Sequence, residues 1–149
     1  MRFFGGGPGR QVAYVRLLWA GPLAGLVAAL FNVTVFLGAS AVGIMSQEIV
    51  VPGRGPITLG AVASVSFVPA ILGAGLLALV GLLTRRPVGT FAVVAAAVLV
   101  LSFVPPFTLP GVPAAMIMAL LLMHLVAATT IVFLLVTLAT RERRKVPRP

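Results

Sequence analysis

A long apolar run near the end of the chain restricts the possible fold more than any other feature. Residues 113–140, PAAMIMALLLMHLVAATTIVFLLVTLAT, contain no charged side chain and carry the one histidine of the sequence, His124, near the middle. At 1.5 Å per residue, a helix of this length crosses the ~30 Å hydrocarbon core of a bilayer. Three other segments are similarly apolar, at residues 17–44, 58–83 and 88–104. We therefore predict an all-α membrane protein built as an up-down bundle of four transmembrane helices.

The composition supports the same fold class. Only 9% of the 149 residues are charged, against the quarter or so that a soluble domain uses to cover its surface. The length predicts a single integral membrane domain over residues 1–149. The sequence has no cysteine, which excludes disulfides, thiolate catalysis and cysteine-ligated metal sites.

The basic residues predict the orientation of the bundle. With the exception of Arg54, they lie in a Gly-rich arm at residues 1–16, in the loop that follows the second span, or in a tail at residues 141–149. We expect the arm and the tail to be flexible. Because short cytoplasmic loops are enriched in Lys and Arg, both termini are predicted to be cytoplasmic, in a multi-pass protein of the cell membrane.

The net charge of +9 then reflects membrane topology and contact with the bilayer surface, and we expect no nucleic-acid partner. The expected surface residues are Arg85, Arg86, Arg141, Arg143, Arg144 and Lys145.

Small residues indicate where helices approach one another closely. Gly21, Gly25 and Ala29 recur at four-residue spacing in the first span. Gly73 begins a second group of small residues in the second span, together with Gly75 and Gly81. Such stripes let the backbones of two membrane helices come into contact, either within one chain or between two chains.

Polar side chains inside the spans are few, and three of them form a candidate site. Asn32 in the first span and His124 in the fourth are predicted at similar depth, near the middle of the membrane. They could hydrogen-bond as an interhelical clamp worth about 1 kcal/mol, or they could coordinate a ligand or handle protons. Ser102, close to the end of the third span, could face His124. Pro69 predicts a kink or local unwinding of the second span beside this level.

The same residues argue against an enzyme, a metal site or a cofactor. The only acids, Glu48 and Glu142, fall outside the spans, so no acid can orient His124 for nucleophilic catalysis or drive proton exchange inside the membrane. A lone histidine offers a metal one ligand only. We attribute Met116, Met118 and Met123 to packing. We expect intramembrane hydroxyls to bond to their own helix backbones (Thr34, Ser40, Ser64, Ser66, Thr129 and Thr130), and Glu48 to lie near Arg54 in an outer loop as a candidate ion pair.

Three short sequences carry a family resemblance. Asn32 in the first span, the stretch SFVPP at 102–106 and the stretch MHLVAA at 123–128 resemble a family of small bacterial four-helix membrane proteins catalogued as a domain of unknown function. The resemblance covers about residues 17–140. It implies the four-helix fold and a role for the Asn, the Ser-Pro exit and the His, and it supplies no activity, substrate or cofactor.

Two functions of different classes follow from the sequence. The first is a non-enzymatic accessory, interaction or structural subunit, which binds another membrane protein or a second copy of itself through the small-residue faces. The alternative is a small transporter, or a protein that binds a lipid or small molecule, with its polar site at the level of Asn32 and His124.

Overall fold

Four long helices account for most of the protein. The computed structural model describes residues 10–45, 50–51 and 55–142. Helix α1 spans Tyr14–Ala41, α2 spans Leu59–Leu83, α3 spans Pro87–Ser102, a single turn α4 spans Val104–Phe107, and α5 spans Ala114–Leu138. By length and composition α1, α2, α5 and the α3–α4 segment can each cross a membrane. The prediction of an all-α, four-helix membrane protein is thereby confirmed.

Proline and threonine set several of the helix boundaries. Thr58 caps α2 by accepting a hydrogen bond from the Ala61 backbone N–H at 3.2 Å. The long helix α3 ends at Ser102, as the two following prolines predict, and those prolines lie in the first turn of α4, where a missing N–H costs no hydrogen bond. Helix α2 continues through Pro69, so the predicted local unwinding is not found there.

The helices form a ring in the order α1, α2, α3, α5. Helix α1 packs against α2 and α5, and α3 packs against the same two helices without contacting α1. Helices α2 and α5 also touch each other across the centre. One core cluster includes Leu17, Leu77 and Leu135, and a second cluster towards the other end of the bundle includes Phe36 and Met116.

The two chain ends are joined by a short β-ribbon. Strand β1, Arg10–Val12, pairs antiparallel with strand β4, Thr140–Glu142, so that Arg10 stands opposite Glu142. The prediction that residues 1–16 and 141–149 are entirely flexible is therefore wrong where the structure describes them. Helix α1 also begins at Tyr14, inside the predicted arm. We call the end of the bundle that carries this ribbon and the α2–α3 loop the basic end, defined by Arg10, Arg16, Arg85, Arg86 and Arg141.

A second hairpin lies at the opposite end. Strands β2, Val50–Val51, and β3, Gly55–Pro56, pair with Val51 opposite Gly55, which adopts φ +81°. The proposed Glu48–Arg54 ion pair lies outside the described residues, as do the surface residues Arg143, Arg144 and Lys145.

The small residues of α1 are used within the chain. A Cβ added at Gly21 would lie 2.9 Å from the Ala74 Cβ, and one added at Gly25 would lie 2.7 Å from the Phe67 ring. Both glycines are buried, and both let α1 lie directly against α2. Ala29, the third residue of the stripe, is half-buried, and a Cβ at Gly73 would meet the side chains of Leu135 and Ile131. These residues pack helices of one chain together.

Most of the predicted hydroxyl and methionine environments are found. The side chains of Thr34, Ser64, Ser66 and Thr129 donate to backbone carbonyls of their own helices. Two hydroxyls depart from the prediction, because the buried Ser40 Oγ has no partner and Thr130 makes no such bond within the described chain. Met116 and Met123 are buried in the core, whereas Met118 is exposed.

Candidate functional site

Helix α3 leaves a large cleft in the side of the bundle. The buried residues of α3 are Pro87, Val88 and Phe91, all in the part of the helix next to the basic end. Beyond Phe91, a cavity of about 700 Å³ opens between α2, α3 and α5, with Asn32 of α1 in its wall. This volume lies within the range of sites that bind small molecules. We call it the α2–α3–α5 cleft.

Asn32 ties three helices together at the wall of the cleft. Its side-chain Nδ2 donates one hydrogen bond to Ser66 Oγ in α2, at 2.8 Å, and another to the Met123 carbonyl in α5, at 3.0 Å. Asn32 is 3% exposed. Both amide hydrogens are thus used in interhelical bonds, which hold α1 against its two neighbours.

The same partners fix which way the Asn32 amide points. The Met123 carbonyl can only accept, and Ser66 Oγ gives its hydrogen to the Val62 carbonyl at 2.8 Å, so both partners need a donor from Asn32. The Asn32 Oδ1 atom is left buried, with no hydrogen-bond partner among the described residues. A buried acceptor of this kind is costly.

His124 also lines the cleft, and one of its ring nitrogens is occupied. His124 Nδ1 lies 2.7 Å from the Leu120 carbonyl in the preceding turn of α5. Because a carbonyl only accepts, Nδ1 carries the hydrogen, and in the neutral ring Nε2 is then an acceptor. The ring is half-buried, at the level of the helix where Met123 meets Asn32.

Ser102 completes a set of side chains that present acceptors to the cleft. The Ser102 hydroxyl donates to the Leu99 carbonyl at 2.7 Å. The hydroxyl oxygen can therefore still accept a hydrogen bond through its lone pairs. Asn32, Ser66, Ser102 and His124 all spend their donor hydrogens inside the protein. The cleft therefore offers hydrogen-bond acceptors from its side chains.

The rest of the cleft is apolar and reaches the outside of the bundle. Phe91, which is 1% exposed, closes its deep end, while Val65, Leu72 and Val98 are exposed lining residues. Pro69 lies in the wall and cannot donate to the Val65 carbonyl one turn before it. A molecule dissolved in the surrounding hydrocarbon would meet an apolar surface with a few polar atoms at its inner wall.

The predicted site residues line the same cavity, but their hydrogen bonds differ from those predicted. Asn32, Ser102 and His124 line one cavity, but Asn32 bonds Ser66 and the backbone of Met123, so the predicted Asn32–His124 hydrogen bond is not formed. Ser66 was predicted only to bond its own helix. It lies roughly two turns into α2, at the depth of Asn32, so the depth matching applied to His124 would also have found it.

Within the described residues, no three His, Cys, Asp or Glu side chains lie close enough together to hold a metal ion. The side chains that line the cleft present acceptor atoms and apolar surface.

Comparison with family models identifies a family to which the chain is similar. The model of a family of unknown function, DUF6069, matches residues 13–141, which include all four long helices and the whole cleft. This agrees with the resemblance drawn from Asn32, residues 102–106 and residues 123–128. No curated protein and no solved structure matches the chain.

Proposed function

The chain belongs to DUF6069, a family of unknown function, and from the geometry of its cleft we propose that it is a non-enzymatic membrane protein that binds an amphipathic small molecule or lipid. The observation that carries this proposal is a cavity of about 700 Å³ whose polar side chains, among them Ser102 and His124, use their donor hydrogens within the protein. The ligand would lie between α2, α3 and α5, with its polar group towards Asn32, Ser102 and His124.

The polar atoms of the cleft define the chemistry of the ligand. Their donor hydrogens already bond to carbonyls or hydroxyls of the protein, so the ligand's polar group must itself donate. Hydroxyl and amine groups meet this requirement, whereas a carboxylate or an ether would bring an acceptor to acceptors. The apolar walls suit a hydrocarbon body. We therefore infer that the ligand is a long-chain alcohol, an amine, or a lipid with such a group.

Packing within the chain favours this function over that of an interaction subunit. The interaction hypothesis depended on small-residue faces that a partner helix could approach. Gly21 and Gly25 lie against α2 and Gly73 lies against α5, whereas Gly75 is exposed, with no described atom within 4 Å of an added Cβ. Most of these small residues are thus in contact with the chain's own helices. The cleft beside α3 offers a site that the fold leaves open.

Photoaffinity labelling tests the proposal. The full chain, purified in a non-ionic detergent, is irradiated with a hexadecanol that carries a diazirine in its chain, and the labelled peptides are identified by mass spectrometry. We expect labels on cleft-lining residues of α2, α3 and α5. His124→Phe removes an acceptor while retaining an aromatic ring, and should reduce cleft labelling by about tenfold, the equivalent of one good hydrogen bond.

The matched control is Thr34→Val. Thr34 is exposed on α1, outside the cleft, and bonds to its own helix at Leu30. Its loss should leave the labelling unchanged. Labels scattered over the exposed faces of all four helices, or equal labelling of wild type and His124→Phe, would contradict the proposal.

A further inference from the structure

A second cavity lies between α3 and α5, nearer the basic end. It has a volume of about 490 Å³, and its walls are smooth and apolar, with Ala92 and Ala96 on α3 facing Val132 on α5. Arg10 lies at the same cavity, although it belongs to the ribbon and to neither helix. We call this cavity the α3–α5 groove.

Arg10 is held in place by the backbone around it. Pairing of β1 with β4 fixes its position, and the backbone N–H of Ala13 donates to the Ala139 carbonyl at 2.8 Å just beyond the ribbon. Although Glu142 stands opposite in the ribbon, the hydrogen bond described for the Arg10 guanidinium runs from Nη2 to the Val136 carbonyl, at 3.4 Å. The guanidinium is therefore turned towards α5 and the groove.

The Arg10 guanidinium has donor capacity that the protein does not use. The hydrogen bond to the Val136 carbonyl uses one of the five guanidinium N–H groups, and the buried Nε has no partner among the described residues. A guanidinium is always charged and presents its N–H groups in a planar fork that matches a phosphate. A partly buried cation beside an apolar groove is expensive unless an anion pairs with it, and the fork specifies an anion with several oxygens.

The charge of the whole basic end is complementary to the same kind of ligand. Arg16, Arg85 and Arg86 lie at this end of the bundle together with Arg10. Basic pockets between membrane helices, at the level of the lipid headgroups, are typical sites for anionic phospholipids. The groove also has an apolar surface along two helices. Such a surface suits the acyl chain of a lipid, which a soluble anion lacks.

From these observations we propose that the α3–α5 groove binds an anionic phospholipid, with its phosphate on Arg10 and an acyl chain along the alanine face of α3. This site is distinct from the proposed cleft, since its polar group is a donor and the groups of the cleft are acceptors. The two cavities share lining residues, among them Ala95 and Ala128, so a lipid in the groove would support α3 on the side away from the cleft.

Native mass spectrometry tests the charge requirement. The full chain is released from mild detergent after equilibration with phosphatidylglycerol or with phosphatidylcholine of the same acyl chains. We expect retention of phosphatidylglycerol over phosphatidylcholine. Arg10→Gln should lower that retention by about tenfold, because a charge-assisted bond to phosphate is lost. Arg141→Gln, at an exposed arginine of the same ribbon, should change it by less than about twofold, as expected for a surface charge.

A pair of tryptophan variants tests the groove itself. Ala96→Trp fills it, whereas Ala97→Trp adds the same bulk to the next residue of α3, which lines neither cavity. Both alanines are exposed, so both variants should fold. Loss of lipid retention in Ala96→Trp alone supports the proposal. Equal losses in Arg10→Gln and Arg141→Gln, equal retention of the two lipids, or equal effects of the two tryptophans would overturn it.

Discussion

Asn32 connects three helices through one amide, and its substitution should show which half of that amide matters. Asn32→Leu removes the bonds to Ser66 and Met123 but also removes the unpartnered Oδ1, and should cost about 1 kcal/mol. Asn32→Asp removes both donors and brings a carboxylate against the Met123 carbonyl, and should cost roughly 3 kcal/mol. Thermal unfolding in detergent measures the difference.

The control for Asn32 is Thr34→Val, two residues further along the same helix. Thr34 is exposed and bonds within its own turn, so its loss should shift the unfolding temperature little. The order Thr34→Val, Asn32→Leu, Asn32→Asp, from least to most destabilising, is what the geometry predicts. Similar unfolding temperatures for the Leu and Asp variants would mean that the amide makes no donor bonds in the folded protein.

At the scale of elements, the contact between α1 and α2 depends on the absence of side chains at two positions. Gly21→Ala would bring its Cβ within 2.9 Å of the Ala74 Cβ, which is fixed to the backbone of α2 and cannot rotate away. We expect a loss of about 1–3 kcal/mol, typical of an overpacked core. Gly38→Ala, in the same helix with no described atom within 4 Å of the added Cβ, should be neutral or slightly stabilising. Thermal unfolding of both variants in the same detergent, without added denaturant, measures whether Gly21→Ala lowers the unfolding temperature and Gly38→Ala does not.

Self-association supplies a second readout for the same glycines. If the stripe served contacts between chains, Gly21→Ala would change the oligomeric state measured by light scattering without lowering the unfolding temperature. The packing against Ala74 predicts the opposite, a less stable chain whose oligomeric state is unchanged.

The sequence predicted the helices better than it predicted the spaces between them. The lengths of the apolar segments and the positions of the charges predict four helical spans, because the hydrocarbon core of a bilayer admits few other backbone structures. The two prolines that follow Phe103 and Val104 predict the end of α3. The neighbours of Asn32 were missed because depth matching selects both Ser66 and His124, and the helix order is needed to choose between them. The ribbon around Arg10 was missed because a glycine-rich arm gives no strand signal. The cleft itself arises from the direction of α3, which no residue pattern specifies.

At the scale of the whole molecule, the distribution of arginine predicts its orientation in the membrane. The chain has no native cysteine, so single cysteines report on their own positions. Arg85→Cys lies at the basic end and Thr108→Cys, an exposed position, lies at the other. In intact cells an impermeant maleimide should label Thr108→Cys, and should label Arg85→Cys only after the membrane is permeabilised. The reverse pattern would place the basic end outside and would move the proposed phospholipid site to the opposite leaflet.

We propose that the α2–α3–α5 cleft accepts hydrogen bonds from its ligand, and a matched pair of competitors tests this most directly. Unlabelled hexadecanol and its methyl ether differ in one respect that matters to the cleft, since the alcohol can donate a hydrogen bond and the ether can only accept. Each is titrated against photolabelling of the wild-type chain by the diazirine-bearing hexadecanol. We expect the alcohol to displace the label from the cleft at concentrations about tenfold lower than the ether does. Equal displacement by the two compounds would contradict it.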